Sequence, residues 1–310
     1  MLTTDERMMA RCLQLAVKGR EGSRPNPMVG AVIVDNVSGR IIGEGWHRQC
    51  GKAHAEVNAF ASVAESDEEL LRQSTVYVSL EPCAHYGKTP PCADLIVRKG
   101  VSRVVVGCVD PFAKVQGRGI NRIREAGISV TTGVLEARCR WLNRRFFTYH
   151  EHHRPYIILK WAQTADGFID LDGHPLAIST PLTRVLVHQL RAEEDAILVG
   201  RVTEEREHPL LNVRHWHGRS PRRFVLSHAT SIGQVLDECY EQQLQSLVVE
   251  GGRATLQSFI DLGLWDELRI ETATKLISGR GTRAPQRSEA VRLFDRQQFG
   301  DNIVCRYIPA

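Results

Sequence analysis

The sequence lacks any apolar run long enough to cross a membrane. A transmembrane helix requires about 20 consecutive apolar residues, and charged or polar residues interrupt every apolar stretch of this 310-residue chain well before that length. The N-terminus also lacks the short apolar core of a secretory signal peptide. The sequence therefore predicts a cytoplasmic protein that binds no membrane.

The sequence also lacks a disulfide framework and a strongly basic tract. In a reducing cytoplasm, the eight cysteines are expected to remain thiols and to be available for metal binding. The net charge is only +4, aromatic residues make up 6% of the chain, and the one distinct basic tract is 138–145. Proteins that bind single-stranded nucleic acid combine a basic groove with aromatic side chains, so no nucleic-acid partner is expected.

The length and the pattern of the chain predict two α/β domains. The chain exceeds the roughly 100 to 200 residues of a typical domain. The segment 147–155 is polar and ends in a proline-containing turn, which is typical of a linker. We therefore predict domains at 1–149 and 150–310. The three histidines of this linker lack acidic or thiol partners in the sequence, so no metal site is predicted there.

Helices and strands alternate in both predicted domains, which favours open sheets covered by helices. Helices are predicted at 4–18, from His54 to about Ala64, at 93–99, at 117–126 and at 137–145, and strands at 29–34, 40–44, 75–80, 101–109, from 130 and at 156–161. In such a sheet, functional residues are expected at the carboxyl ends of the strands.

The most informative residues are His54, Glu56, Cys83 and Cys92. One imidazole and two thiolates provide three ligands for a catalytic zinc and leave the fourth position for water, while Glu56 provides a base that is not a ligand. Nucleobase deaminases use this combination to replace an exocyclic amine by oxygen. A structural zinc is the weaker interpretation, because such sites usually have four Cys or His ligands. Ligand type alone leaves iron open.

The interval between the two cysteines is longer than in the general deaminase signature Pro-Cys-x2-Cys. Residues 84–91 fill it, and they include the polar side chains of His85 and Lys88. Because these side chains are held beside the predicted metal, we interpret the insertion as a loop that determines substrate specificity.

The segments HAEVNA (54–59) and EPCAHYGKTPPC (81–92) resemble the deaminase half of the bacterial riboflavin-biosynthesis deaminase/reductases, the RibD/RibG family. The resemblance implies a cytidine-deaminase-like three-layer α/β/α domain. It also implies roles that the residues alone do not indicate, since Asn26 would otherwise be interpreted as a turn residue and His47 as a surface or core histidine. The implied substrate contacts are Asn26, His47, His85, Lys88 and Asp110. The segment 117–120 resembles the GxGI loop of the family, although the preceding PFAKVQ departs from it.

The second half resembles the reductase half of the same family, which has a dihydrofolate-reductase-like α/β fold. The ordered markers are KWAQTADG (160–167), LRA (190–192), DAILVG (195–200), PLLNVR (209–214), EGG (250–252) and LWDEL (264–268). The resemblance implies NADPH as the cofactor. The implied substrate contacts are Arg191, Leu211, Arg214 and Glu250, and the implied cofactor contacts are Ala162, Thr203, Glu207, Ser227, Gly251 and Gly252. Arginines suit a sugar phosphate because guanidinium forms paired hydrogen bonds with phosphate, and glycines before a helix allow close approach of a cofactor phosphate.

This half also departs from the family. Glu207 stands where the family has Asp, and Pro175 and Ala177 stand where it commonly has Ser and Trp. The interval between Ser227 and Asp237 is short, whereas the family normally has a further strand and helix there. The second domain is therefore predicted to be shortened on the side of the cofactor.

Three functional hypotheses follow. The first is a bifunctional enzyme, expected to form a homo-oligomer, that deaminates 2,5-diamino-6-(5-phosphoribosylamino)pyrimidin-4(3H)-one to 5-amino-6-(5-phosphoribosylamino)uracil and then reduces the ribosyl group to ribityl with NADPH. The alternative is a deaminase alone, whose C-terminal half is a binding or oligomerisation module. A nucleic-acid deaminase is the third and weakest hypothesis, because the chain lacks the basic, aromatic-bearing groove that a flipped base requires.

Overall fold

The computed structural model describes residues 2–86, 90–112 and 116–310. The chain consists of two compact units, Met1–His152 and His153–Ala310. In the described part of the chain, no helix is both long and apolar enough to span a bilayer.

The first unit is a mixed sheet with helices on both faces. Its elements are α1 (Thr4–Val17), β1 (Gly30–Asp35), β2 (Ile41–Trp46), α2 (Ala55–Ala61), a 3-10 helix (Glu65–Gln73), β3 (Ser74–Leu80), α3 (Cys92–Lys99), β4 (Arg103–Cys108), α4 (Arg118–Glu125), β5 (Ser129–Thr132), α5 (Glu136–Leu142) and α6 (Arg144–His152). The strand order is β2-β1-β3-β4-β5. Strand β1 is antiparallel to β2 and β3, whereas β3, β4 and β5 are parallel.

Two separate cores cover the two faces of this sheet. Side chains along a strand alternate between the two faces of the sheet. Ala31 and Ile33 belong to the core that α2, α3 and α4 cover, whereas Val32 and Val34 belong to the core that α1 and α5 cover. Helix α1 begins with a capping box, in which the Thr3 side chain accepts from the Glu6 amide and the Glu6 carboxylate accepts from the Thr3 amide. The result is the three-layer α/β/α arrangement that the sequence predicted.

Two local predictions were wrong. The helix predicted from His54 to Ala64 ends at Ala61, because the Ser62 hydroxyl donates to the Ala59 carbonyl and accepts from the Glu44 amide, in competition with helical bonds. The predicted linker 147–155 is largely helix α6. Its aromatic residues Phe146 and Phe147 are buried in the core, a helical face that the neighbouring polar residues hide in the sequence. The predicted domain boundary at 149/150 therefore falls inside this helix, and the division between the two units, at 152/153, lies within the predicted segment 147–155.

The second unit is a seven-stranded sheet. Its elements are β6 (Tyr156–Gln163), β7 (Asp170–Leu171), β8 (His174–Pro175), α7 (Pro181–Glu193), β9 (Ala196–Gly200), α8 (Arg201–Glu207), β10 (Arg222–Leu226), α9 (Ile232–Glu241), β11 (Ser246–Val249), α10 (Arg253–Asp261), β12 (Glu267–Thr272), β13 (Val291–Phe299) and β14 (Asn302–Pro309). The strand order in the seven-stranded sheet is β10-β9-β11-β6-β12-β14-β13, and β7 and β8 form a separate two-stranded sheet. The first five strands are parallel, and β14 is antiparallel to both of its neighbours.

Helices cover both faces of this sheet as well. Helices α9 and α10 contribute Val235, Leu256 and Phe259 to one core, and α7 contributes Leu190 to the core on the opposite face. Residues 227–231 alone connect β10, an edge strand, to α9. This is the short connection that the sequence showed.

We expect Gly45→Ala to destabilise the first unit strongly. A methyl group at Gly45 in β2 would lie 2.3 Å from the Ala59 nitrogen and 2.5 Å from the Ala55 oxygen of α2. Because these are backbone atoms, they cannot rotate away, and the expected loss is at or above the roughly 1 to 3 kcal/mol of an overpacked core. Thermal unfolding followed by circular dichroism measures it.

Gly39→Ala is the matched control. Gly39 has a φ of +70° and an added methyl meets nothing within 4 Å, so only the left-handed backbone strain of about 1 to 2 kcal/mol applies. A loss at Gly45 no larger than the loss at Gly39 would contradict the close packing of α2 against β2.

Candidate active sites

The first site lies where β3 ends and two helices begin. His54 is the N-cap of α2, Cys83 follows β3, and Cys92 is the first residue of α3. The carboxyl ends of the parallel strands β3 and β4 meet at the same edge of the sheet, which is the usual location of a site in such folds. The fold thus brings together three residues that the sequence separates.

The three predicted ligand atoms have the spacing that a tetrahedral metal requires. Nδ1 of His54 lies 3.6 Å from Sγ of Cys83 and 3.4 Å from Sγ of Cys92, and all three atoms lie within 4.8 Å of one another. Zinc bonds of about 2.0 to 2.3 Å in tetrahedral geometry separate ligand atoms by roughly 3.5 Å. The donor set and its spacing therefore fit zinc.

The two thiols are electrostatically coupled. Hydrogen bonds from the Cys92 side chain and from His54 lower the pKa of Cys83 to about 4, and the Cys92 amide also donates to Cys83 Sγ at 3.3 Å. The neighbouring Cys83 and burial raise the pKa of Cys92. The pair thus retains a proton that metal binding would release.

Glu56 is a buried carboxyl group in the first turn of α2, with 3% of its surface exposed. Burial is the largest influence on it and raises its pKa to about 7, although the charge of His54 acts in the opposite direction. A carboxyl group with a pKa near neutrality is suited both to accept and to donate a proton. Glu56 therefore has the properties of a general acid–base group.

Asn26 and His47 lie beside the predicted ligands. His47 is buried, and its ring centroid lies 5.2 Å from that of His54. Its Nδ1 lies 3.1 Å from the Ala53 carbonyl, which only an N–H can satisfy, so its Nε2 accepts from the Asn26 amide at 3.2 Å. Burial also lowers the pKa of His47. The neutral ring therefore holds the Asn26 amide in a defined orientation.

The other predicted substrate contacts differ in their environment. Asp110 follows β4 and is buried; burial raises its pKa to about 6. Its Oδ1 accepts from the Phe112 amide at 2.8 Å. His85 is exposed. Lys88 lies outside the described residues.

Sequence reasoning missed Glu81. It directly precedes Pro82 and Cys83, and its buried carboxylate accepts hydrogen bonds from backbone amides of the segment that contains Asp110. The only sequence signal for a role of Glu81 was its position next to Pro82 and Cys83. Its backbone partners lie far along the chain, so the local sequence pattern did not indicate them.

The second site is a cleft of about 1150 Å³ in the second unit. All ten residues to which the resemblance gave a role in this half line it, although they come from distant parts of the chain. They are Ala162, Arg191, Thr203, Glu207, Leu211, Arg214, Ser227, Glu250, Gly251 and Gly252.

A buried ion pair lies in this cleft. Arg191 Nε and Nη2 donate to the two carboxylate oxygens of Glu250 at 2.9 and 2.8 Å, and Lys160 Nζ lies 3.7 Å from Glu250. Burial acts to raise the pKa of Glu250, but the positive charges of Lys160 and Arg191 outweigh it and hold the pKa below its ordinary value. Sequence reasoning gave roles to Arg191 and Glu250 separately and missed both their pairing and Lys160.

Arg214 has a different environment from Arg191. Its backbone amide donates to Nδ1 of His188 at 3.3 Å, and its guanidinium donates to the Asn212 side-chain oxygen at 2.9 Å. Its side chain bonds a neutral amide rather than a carboxylate, so its positive charge is available to an anion in the cleft.

Three of the predicted cofactor residues, Thr203, Gly251 and Gly252, lie together at the start of α10. The Gly252 amide donates to Thr203 Oγ1 at 3.1 Å. Added methyl groups at Gly251 and Gly252 would lie 3.3 Å from Thr255 and 3.2 Å from Thr203, so side chains here would narrow the cleft. Burial, and then the charge of Asp170, raise the pKa of Glu207.

The first unit thus has a deaminase-type metal site, and the second unit is an α/β unit with a separate ligand cleft. Comparison with known proteins agrees with both assignments. Residues 2–108 match the cytidine and deoxycytidylate deaminase zinc-binding region, and residues 155–305 match the RibD C-terminal domain. The riboflavin biosynthesis protein RibD of Aquifex aeolicus is 35% identical over 351 aligned positions, covering 97% of each chain. The alignment is longer than the 310 residues of this chain, so the relative has residues without a counterpart here.

Two solved structures are similar over 99% of both chains, each with a TM-score of 0.88. They are RibD of Acinetobacter baumannii, at 30% identity, and a diaminohydroxyphosphoribosylaminopyrimidine deaminase/5-amino-6-(5-phosphoribosylamino)uracil reductase of Thermotoga maritima, at 32% identity. The chain therefore belongs to the RibD family. The predicted fold class and the predicted family are confirmed.

We expect the purified protein to hold one zinc ion per chain, and Cys83→Ser combined with Cys92→Ser to abolish it. Removing both thiolates leaves only His54 of the three ligands, and one imidazole does not hold zinc against dialysis. Elemental analysis by mass spectrometry measures the metal content. Cys50→Ser is the matched control, because Cys50 is exposed and outside the site. Full zinc content in the double variant would refute the ligand assignment.

Proposed function

We propose that the chain catalyses two reactions of riboflavin biosynthesis. The N-terminal unit deaminates 2,5-diamino-6-(5-phosphoribosylamino)pyrimidin-4(3H)-one, and the C-terminal unit reduces the ribosyl group of the product to ribityl with NADPH. The observation that carries the proposal is the grouping of His54, Cys83 and Cys92 within 4.8 Å beside the buried Glu56. Membership of the RibD family supplies the substrate class.

In the first reaction, His54, Cys83 and Cys92 would hold zinc, which supplies a water of lowered pKa and a Lewis acid. Glu56 accepts a proton from the attacking water and delivers protons to the pyrimidine ring nitrogen and to the departing ammonia. Its pKa of about 7 suits both directions of transfer. Burial of Glu56 also excludes bulk water from the proton path.

The remaining residues of this site orient the pyrimidine. Asn26 is fixed by the neutral His47 and offers hydrogen bonds to polar groups of the ring. Asp110 offers a carboxyl group whose pKa of about 6 leaves it mostly ionised at neutral pH, so that it accepts hydrogen bonds from the ring. His85 and Lys88 complete the proposed contacts, with the roles that the family resemblance implies.

We expect Glu56→Gln to reduce ammonia release by roughly 10²- to 10⁴-fold, at the upper end because the group acts more than once. The amide keeps the shape but cannot transfer protons. An enzyme-coupled ammonia assay measures the loss, and zinc content should stay unchanged. The surface variant Glu68→Gln, which removes only a contact with Lys99, is the matched control. Near-normal ammonia release by Glu56→Gln would mean that another residue is the base.

In the second reaction, hydride passes from NADPH to C1′ of the opened ribose. Arg214 offers a cation to the sugar phosphate, whereas Arg191 is fixed by Glu250. Arg191, Glu250 and Leu211 face the sugar together with Arg214. Thr203, Glu207, Ser227 and the remaining cleft residues, Ala162, Gly251 and Gly252, face the cofactor. The family resemblance also supports a cytoplasmic homo-oligomer.

The alternative is a deaminase whose C-terminal half is a binding module. Similarity to RibD proteins over almost the whole chain favours the bifunctional enzyme over it. The two candidates differ in whether the second unit oxidises NADPH.

We expect the second unit to oxidise NADPH. Its KM for NADPH should be higher than in relatives that have the longer connection, and its kcat should be less affected, because the shortened region lies on the cofactor side. The assay supplies 5-amino-6-(5-phosphoribosylamino)uracil and follows absorbance of NADPH. Arg214→Gln should raise the KM for this substrate by about 10-fold or more, through loss of a charged phosphate contact, and leave the KM for NADPH unchanged. Arg219→Gln, at an exposed position outside the cleft, is the control. No oxidation at millimolar NADPH would favour the binding module.

A further inference from the structure

Glu81 ties the loop of Cys83 to the segment of Asp110. Its side chain leaves the end of β3 and is 4% exposed. Its Oε2 accepts from the amides of Asp110 at 3.2 Å and Gly117 at 2.9 Å, and its Oε1 accepts from the amides of Gly119 at 3.0 Å and Ile120 at 3.3 Å. One carboxylate thus bonds four backbone amides.

Three of these amides belong to the N-terminus of α4. The first amides of a helix lack partners within the helix, and Gly117, the N-cap of α4, provides no side-chain bond. A carboxylate at this end is also stabilised by the helix dipole. The desolvation cost of burying Glu81 is therefore offset by four donors.

Two glycines allow the segment to come this close. Gly117 adopts a φ of +75°, and a methyl group at Gly119 would lie 1.9 Å from the carbonyl oxygen of Pro82. The GxG pattern of residues 117–119 thus serves the contact with the loop of Cys83. The same pattern in other proteins approaches phosphate groups, but here its amides are bound to Glu81.

Asp110 is the residue whose position this contact determines. Its amide is bound to Glu81, and its own Oδ1 is bound to the Phe112 amide. In residues 2–86, 90–112 and 116–310, no group donates a hydrogen bond to its Oδ2, which leaves this oxygen to a ligand. Both anchors restrict the direction of the carboxyl group.

We propose that Glu81 is a positioning residue of the deaminase: it fixes the backbone of Asp110 to the metal-binding loop, so that the Asp110 carboxyl group meets the pyrimidine in a productive orientation. The inference rests on the proposed substrate contact of Asp110. Glu81 acts through Asp110, because its own carboxylate oxygens are bound by four backbone amides.

Glu81→Gln tests the proposal. The glutamine side chain retains the shape of glutamate. Its NH2 group, however, cannot accept hydrogen bonds, so the two backbone amides that face it lose their acceptor. We expect the KM for the diaminopyrimidine substrate to rise roughly 10- to 100-fold, as for a small misplacement of a contacting group, with a smaller change in kcat and full zinc content. The amides of residues 110, 117, 119 and 120 should exchange hydrogen faster, while amides in the middle of β3 should not.

A double-mutant cycle separates positioning from general destabilisation. If Glu81 acts through Asp110, Glu81→Gln should add little to the KM increase of Asp110→Asn. Additive effects would overturn the proposal, and so would an unchanged KM or a loss of zinc in Glu81→Gln. NADPH oxidation by the second unit, measured on the same samples, reports on folding of the rest of the chain.

Glu81→Asp serves if Glu81→Gln does not fold, because it keeps the negative charge beside the amides of α4 but shortens the side chain, which then cannot bond the Asp110 amide and the α4 amides together. It should give the same rise in KM with zinc retained; a normal KM would overturn the proposal. Wild-type protein that releases no ammonia from the diaminopyrimidine would contradict the proposed function instead. The two failures are thereby distinguishable.

Discussion

The first site depends on the close approach of two thiols to one imidazole. Cys83, Cys92 and His54 place their ligand atoms within 4.8 Å of one another in a partly buried location. Two thiolates this close together repel each other, so ionisation of one disfavours ionisation of the other. A divalent cation removes this conflict because it stabilises both thiolates. The surrounding elements, α2, β3 and α3, hold these residues against the sheet, so the fold and the metal stabilise the same arrangement.

Three buried glutamates show how environment assigns different roles to one side chain. Burial is the largest influence on Glu56, and its pKa rises to about 7, which suits proton transfer. Glu81 is bound by four backbone amides and serves to hold two segments together. Glu250 is paired with Arg191 and Lys160, and its pKa falls below the ordinary value, so it remains charged in the cleft. Desolvation is common to all three; the partners decide the outcome.

The sequence predicted the features that depend on local pattern or ligand chemistry, and it missed those that depend on tertiary contacts. The proposed metal ligands and Glu56 follow from their residue types and spacing, and α1 follows from its apolar stripe. Helix α6 was missed because polar residues next to Phe146 and Phe147 obscure a short buried face. The roles of Glu81 and the pairing of Arg191 with Glu250 depend on backbone amides and side chains far away in the chain, which no local pattern encodes.

The two units differ in how far the chain can change without loss of their chemistry. Each unit has its own cores, formed by separate sets of buried residues. The metal site requires three ligand atoms in one small volume, and no shortening of β3 or α3 would preserve it. The second cleft is built from many loops around a parallel sheet, and its short connection after β10 lies at an edge strand. An edge tolerates loss of chain because no further strand must pair with it. The reductase half is therefore the half in which this chain could depart from its relatives while the sheet remained intact.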